Sequence, residues 1–288
     1  MRLLIITNLY PPQELGGYGR SLADFGWGLL QRGHQISVLC SDAPYLGPGD
    51  RGPSGERVQR SLQLKGSFAA GVQLLNDREA CAAIDRHNAI QVQQELLAPI
   101  DGVLLGNLDL LGAELLAPLL QAGFPVLHHV GFMTPPFAPQ QWPQSQHYTL
   151  VAASEAVRGA LQQAGLPVAS APVVYPGARV ELFGPSATGR TGGWQNGPGP
   201  LARPANPLKL CFAGLLMGSK GAHTLVEAAA LLHQEGMAVQ VSLAGSEFQP
   251  GYWSRLQQVA RASGLDGLVQ WVGPLQRPQL ARFLALHQ

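Results

Sequence analysis

Lysine is nearly missing from this sequence: Lys65, Lys209 and Lys220 are the only three in 288 residues. Basic charge is carried mainly by arginine, and 19 basic against 18 acidic residues give a formal net charge of +1. A protein that binds duplex nucleic acid concentrates basic charge on one face or stripe. No such run occurs, so no nucleic-acid partner is expected. Cysteine is equally scarce. Cys40, Cys81 and Cys211 are far apart and odd in number, which argues against a disulfide framework and gives no metal-ligand spacing. Cys40 and Cys211 sit in apolar, strand-like runs, where a thiol acts as a small core hydrophobe. A reducing cytoplasm is the natural setting. Long apolar runs are also lacking. None reaches the roughly 20 residues of a membrane helix, so no transmembrane segment is expected, although peripheral membrane contact stays open. The apolar start at residues 1–6 is too short for a signal peptide and is broken by Asn8 and the Pro11-Pro12 pair.

What is present is a large apolar fraction, 46%, ample for a packed core and for two domains. Residues 3–7 form a continuous apolar run and read as a buried parallel strand. A Pro- and Gly-rich loop follows at 8–19, then a helix over 20–31 ended by Gly33, and a second strand over 35–40. This is a βαβ unit, whose crossover should be right-handed. Residues 44–57 read as loop. Helices are expected over 77–98 and 110–121, with strands at 103–106, 126–130 and 150–153. Ser154 is placed to cap a helix over 155–164 that ends at Gly165. Residues 173–175 close the first domain, set at 1–184. Residues 185–207 are dense in Gly and Pro and read as a linker or insertion. The pattern then restarts: strands at 208–213, 239–244 and 269–272, helices at 222–234, 252–263 and 279–286. A doubly wound domain usually has five or six strands and about 100–150 residues. The last part, 208–288, has three strands, so the second domain is expected to be incomplete, as in a truncated product or a fragment.

The chemistry-bearing residues lie in the two strand-to-helix loops. Gly214-Leu215-Leu216-Met217-Gly218-Ser219-Lys220, followed by Gly221, leads into a helix. A helix start offers unpaired N–H groups and partial positive charge, both suited to a phosphate. Lys220 adds a full charge, and Gly221 permits close backbone approach. The Gly-Lys-Ser/Thr order of a Walker loop is absent. An ordinary surface lysine before a helix would have the same spacing. Gly16-Gly17-Tyr18-Gly19-Arg20 is the corresponding loop of the first half. Its glycines permit positive φ, and a plain tight turn would also use them. Arg20 opens the helix and is placed either to reach an anion or to be solvated.

Six segments in order resemble glycosyltransferase family 4, of the GT-B fold. They are Tyr10-Pro11-Pro12 with Gly16-Gly17 and the run from Leu30 to Val38; Val151-Ala152-Ala153-Ser154-Glu155-Ala156-Val157-Arg158; Val174-Tyr175-Pro176-Gly177 with Glu181-Leu182-Phe183; Phe212-Ala213-Gly214 with the run from Lys220 to Ala228; Leu243-Ala244-Gly245-Ser246; and Trp271-Val272-Gly273-Pro274. The resemblance implies an α/β architecture of two Rossmann-like, doubly wound domains with a cleft between them. It implies a retaining transfer of a hexose from a nucleoside diphosphate sugar, with a sugar, lipid or small molecule as acceptor and no further cofactor or metal. In that pattern Lys220 neutralises the donor diphosphate, Gly16 and Gly17 lie against the diphosphate or the transferred sugar, and Gly214, Gly221 and Gly245 border the donor. The departing phosphate assists deprotonation of the acceptor, so stabilising its charge is the main catalytic contribution.

Three departures qualify the match. Leu215 stands where many members carry an arginine. The histidine often found at the end of the strand beginning at Pro125 falls here on Gly131; His129, two residues earlier on the same strand face, is the expected catalytic substitute that orients the sugar or acceptor, with His128 beside it, like Arg20, a candidate acceptor or phosphate contact. Ordinary strand-end histidines would look the same. A pair of glutamates seven residues apart in the later second domain does not occur. Two other readings therefore stand beside the transferase: an inactive, truncated homologue that binds a sugar or a partner, and a nucleotide-sugar 2-epimerase, for which no acid/base pair is apparent. His223 and Glu227 share a helix face, but no second cluster completes a metal site.

Overall fold

Leu4, Ile5 and Ile6 have no accessible surface, although successive residues of β1 (Arg2–Ile6) face opposite sides of the sheet. The strand is therefore covered on both faces, as in a parallel sheet wrapped by helices. The computed structural model describes residues 1–49, 51–69, 71–183 and 207–287. Of the stretch read as a linker at 185–207, all but Pro207 lie outside the described residues. The chain divides into two compact units, Met1–Gly177 and Ala178–Gln288.

In the first unit β1 is followed by α1 (Tyr18–Leu30), β2 (Gln35–Ser41), β3 (Arg57–Leu62), β4 (Gly66–Ser67), β5 (Gln73–Leu74), α2 (Arg78–Leu96), β6 (Gly102–Leu105), α3 (Leu116–Gln121), β7 (Val126–Val130), β8 (Tyr148–Ala152) and α4 (Glu155–Gln163). The main sheet has the order β3-β2-β1-β6-β7-β8, all parallel. With the small antiparallel hairpin β4–β5 set aside, this is the doubly wound order, and the strand sequence reverses between β1 and β6. One face packs Leu4, Ile6, Leu39, Val103, Leu105, Val130 and Leu150 into the larger core. The other packs Ile5, Val38 and Cys40 against Leu22 and Ala23 of α1. Cys40 is thus a core residue, and burial pushes its thiol up to about 12. Ser154 caps α4 by accepting from the Val157 N–H, as its position predicts.

The sequence reading misses β3. The strand Arg57-Val58-Gln59-Arg60-Ser61-Leu62 lies at the sheet edge and buries only Leu62 fully, so it carries no apolar signature. Polar contacts hold it instead. The Arg57 guanidinium pairs with Glu95 of α2 at 2.5 Å, and the buried Asn88 side chain exchanges two hydrogen bonds with the Gln63 backbone. The helix expected over 110–121 starts later. Leu110 (φ 62°) and Gly112 (φ 90°) are left-handed, a short 3-10 turn covers Ala113–Leu115, and α3 begins at Leu116. Residues 173–175, expected to close the first domain, contribute a single parallel bridge, Ala152 to Val173.

The second unit runs α5 (Val180–Phe183), β9 (Leu208–Ala213), α6 (Ala222–Gln234), β10 (Val239–Ala244), α7 (Tyr252–Ala262), β11 (Val269–Gly273) and α8 (Arg277–Ala285). Its parallel sheet has the order β11-β10-β9. The central strand β10 supplies Val239, Val241 and Leu243 to a core closed by Val226, Ala229, Tyr252 and Leu256. Among the described residues no helix is long and apolar enough to cross a membrane.

Candidate functional site

In an open parallel sheet the point where strand order reverses leaves a crevice beyond the carboxyl ends of the strands. Here that point is joined tightly. The Gly106 N–H donates to the Ile6 carbonyl and the Asn8 N–H to the Asn107 carbonyl, at 2.7 and 3.0 Å. Beyond this join lies a narrow pocket lined by Tyr18, Asn107, Asp109, His129, Gly131 and Phe132 among others. Asn107 and Asp109 orient one another: the Asn107 amide donates to the Asp109 carboxylate, and the Asp109 N–H donates back to Asn107 Oδ1.

Tyr18, the first residue of α1, forms the wall of this pocket. Its hydroxyl donates to the His129 carbonyl and lies 3.3 Å from His129 Nδ1. Its ring packs on Phe132 with centroids 5.4 Å apart. Burial, then the nearby Asp109 charge, raises its pKa and keeps the phenol protonated.

Both histidines of β7 face inward and are 1% exposed. His128 Nε2 donates to the Gly106 carbonyl at 3.1 Å, so Nδ1 accepts from the Tyr148 hydroxyl at 2.7 Å. Burial lowers the His128 pKa to about 3. The ring is neutral, with both nitrogens committed. His129 Nε2 donates to the Val174 carbonyl at 2.9 Å while Nδ1 faces Tyr18. Burial lowers its pKa too, against the opposing hydrogen bond to Val174. Both ring nitrogens are engaged inside the unit. Arg20 is likewise engaged: its Nε–H bonds Glu14 at 2.5 Å. Of the loop glycines, Gly16 is left-handed (φ 70°) and Gly17 is exposed with open space about its Cα.

The second-unit loop is built differently. The Gly214 N–H extends the β9–β10 ladder by donating to the Ala244 carbonyl. Gly245 (φ 138°) lies so close that a Cβ there would overlap the Gly214 carbonyl. Leu216 is fully buried and pins the loop through the Ser246, Phe248 and Gln249 backbone. Gln249 also accepts from the Gly218 N–H at 3.1 Å. A 3-10 turn, Gly218–Lys220, ends in left-handed Gly221, which starts α6 without a side-chain cap. Lys220 is exposed at this helix start, and its ammonium has no hydrogen-bond or ion-pair partner among the described residues. Leu215 is half-buried and brings no charge. Early in α6, His223 Nδ1 meets the Tyr252 hydroxyl at 2.7 Å. No three His, Cys, Asp or Glu side chains converge on a metal geometry among the described residues.

The sequence residues thus fall into two sets. Gly16, Gly17, Arg20, His128 and His129 belong to the first unit; Gly214, Lys220, Gly221 and Gly245 belong to the second. Sequence reasoning overlooked Tyr18, Asn107 and Asp109. The one available signal was position: Tyr18 follows the Gly16-Gly17 pair, and Asn107 and Asp109 lie in the loop beyond the end of β6.

No family model matches the chain, and no curated protein matches it in sequence. Solved structures do. HepE from Anabaena, in complex with UDP and glucose, superposes with a TM-score of 0.66 at 18% identity, covering 97% of this chain and 71% of that one. Sucrose-phosphate synthase from Thermosynechococcus elongatus gives 0.67 at 16% identity, covering 100% and 74%. A glycosyltransferase from Rickettsia africae gives 0.67 at 13% identity, covering 100% and 71%. The fold is GT-B. It has two Rossmann-like α/β units, with six parallel strands in the main sheet of the first and three in the smaller second among the described residues. At these identities the likeness speaks for the fold.

Proposed function

We propose that this protein is a glycosyltransferase that moves a hexose from a nucleoside diphosphate sugar to a sugar, lipid or small-molecule acceptor with retention of configuration. The observation that carries this reading is Lys220, an exposed ammonium at an uncapped helix start beside left-handed Gly221. A diphosphate placed there would gain the charge of Lys220 together with the N–H groups and dipole of α6. The six resembling segments and the GT-B fold support it, and HepE of the same fold was solved with UDP and glucose. In this reading Gly214 and Gly245 keep the donor loop flat enough for the nucleotide. Gly16 and Gly17 keep the first-unit loop free of side chains, Gly16 in a left-handed conformation (φ 70°). The donor is a co-substrate, with no metal or organic cofactor, and the setting is the cytoplasm.

The chemistry asked of these residues is stabilisation of charge. As the glycosidic bond breaks, negative charge grows on the leaving diphosphate, which takes the proton of the attacking acceptor hydroxyl on the same face. Lys220 and the α6 N–H groups are preorganised for that charge. The test is UDP titration and UDP-glucose hydrolysis by the full chain and by Lys220→Ala. The variant should bind UDP about 10- to 100-fold more weakly. Unchanged affinity and turnover would remove the role given to Lys220. One observation favours a second reading, in which the chain binds a nucleotide sugar without transfer: Leu215 puts an apolar side chain where a second cation would stabilise the leaving group. UDP binding without UDP-glucose turnover would select it.

A further inference from the structure

Glu247 stands just beyond the end of β10, and the second unit spends several contacts on holding it there. The Gly245 N–H donates to the Gly273 carbonyl at 2.9 Å, and the Trp271 indole N–H donates to the Gly245 carbonyl at 2.7 Å. A parallel bridge joins Glu247 to Leu216 of the Lys220 loop. Of its carboxylate oxygens, Oε1 accepts from the Trp253 N–H in the first turn of α7 at 2.7 Å. Oε2 has no hydrogen-bond or ion-pair partner among the described residues, and the side chain is exposed. The α6 and α7 starts are neighbours, since the Tyr252 hydroxyl meets both the N–H and Nδ1 of His223. Glu247 therefore places a carboxylate at the start of α7 and leaves the start of α6 to Lys220. A doubly wound βαβ unit that holds a nucleotide uses three places in order: a glycine turn after its first strand, the start of its helix, and an acidic residue after its second strand, which takes ribose hydroxyls. β9, the Gly214–Gly221 loop, α6 and β10 form such a unit, and Glu247 is the acidic side chain at the third place. A carboxylate only accepts hydrogen bonds and repels phosphate, so it suits the hydroxyl-bearing end of a nucleotide and not its diphosphate.

We propose that Glu247 is a specificity-determining residue for the ribose of a nucleoside diphosphate, accepting from its two vicinal hydroxyls through Oε2 while Oε1 stays on α7. Every group invoked lies in the second unit. The inference rests on the nucleotide-sugar reading above and deepens it by naming the group that meets the ribose. A glutamate that only caps α7 would make the same contact to Trp253, and the two roles separate on ribose discrimination.

The experiment is calorimetric titration of the full chain with UDP, with the dideoxy analogue of UDP that lacks both ribose hydroxyls, and with inorganic pyrophosphate. The unmodified chain should bind UDP about 5- to 20-fold more tightly than the analogue. Glu247→Ala should bring the two nucleotides to within about twofold of each other and leave pyrophosphate within about twofold of its original affinity. Glu247→Gln keeps an acceptor for the Trp253 N–H, so α7 stays capped, and should still lower the preference for UDP to about threefold or less; this variant covers the case in which Glu247→Ala does not fold. Lys220→Ala should do the reverse, weakening all three ligands and leaving the ratio of the two nucleotides unchanged. Equal binding of UDP and its analogue by the unmodified chain would overturn the proposal. So would a preference for UDP that survives Glu247→Gln, or equal weakening of all three ligands by Glu247→Ala, which would make the residue a helix cap alone. If the unmodified chain binds neither nucleotide, the nucleotide-sugar reading falls and takes this inference with it. If it binds both and the ratio does not depend on Glu247, the inference alone fails.

Discussion

The two strand-to-helix loops share a plan and differ in what they do with charge. Around the first, after β1, the cationic and basic groups are used inside the unit: Arg20 on Glu14 and, from the neighbouring β7, His128 between Tyr148 and Gly106 and His129 between Val174 and Tyr18. In the second, after β9, the one full charge is exposed at an uncapped helix start. The first loop is therefore a rigid, electrically quiet wall, and the second an open cation. One strand-loop-helix plan yields a closed wall when its polar groups pair with each other. It leaves an exposed cation when they do not.

Variants that erase the difference test it, and the largest effect should come from the backbone of the second loop. Gly245→Ala combines an unfavourable φ of 138° with overlap on the Gly214 carbonyl. We expect a loss of about 3 kcal/mol or more, read by urea unfolding. A loss under about 1 kcal/mol would show that the two strand ends can separate. Next is Lys220→Ala, which should cost the 10- to 100-fold in UDP affinity given above while leaving stability within about 0.5 kcal/mol. The wall should show itself through pH. His128 binds its proton with a pKa of about 3 when folded and about 6.5 when unfolded. Between those values the unfolded chain holds the extra proton, so stability falls as pH drops, by about 1.4 kcal/mol per unit below about pH 6. His128→Gln should flatten that slope in unfolding curves at pH 5 and 7. The smallest effect is expected for Arg20→Ala: about 1 kcal/mol of stability or less, since the pair is partly exposed, and no more than a twofold change in UDP affinity. A tenfold loss there would mean that Arg20 leaves Glu14 for the phosphate, and the contrast between the loops would be wrong.

The sequence discloses the parts of this molecule that local pattern encodes. β1, β2, β7, β9 and β10 are apolar runs because both of their faces, or the one facing a core, exclude water, and α4 announces itself through Ser154. β3 is hidden because an edge strand held by Arg57 and Asn88 looks like a polar loop. α3 is read too long because Leu110 and Leu111 extend the apolar pattern while the backbone at Leu110 turns left-handed. The site divides in the same way. The Lys220 loop is contiguous, so its residue types and spacing can be read along the chain. The Tyr18 wall depends on Gly131, distant in sequence, where a Cβ would overlap the ring, and a glycine in a row of letters does not say whose ring lies over it. The inward aim of both β7 histidines is equally a tertiary fact, since alternation places a side chain on a face without saying which carbonyl it meets.

The shortage of lysine has a practical side in the folded protein. Lys65 is held by Asp85 and Glu114; burial works against its charge, but those hydrogen bonds outweigh it and raise its pKa, making it a poor nucleophile. That leaves Lys209 and Lys220 as exposed side-chain amines. Acylating reagents consequently meet a nearly blank surface, on which Lys220 can be footprinted with Lys209 as its internal reference.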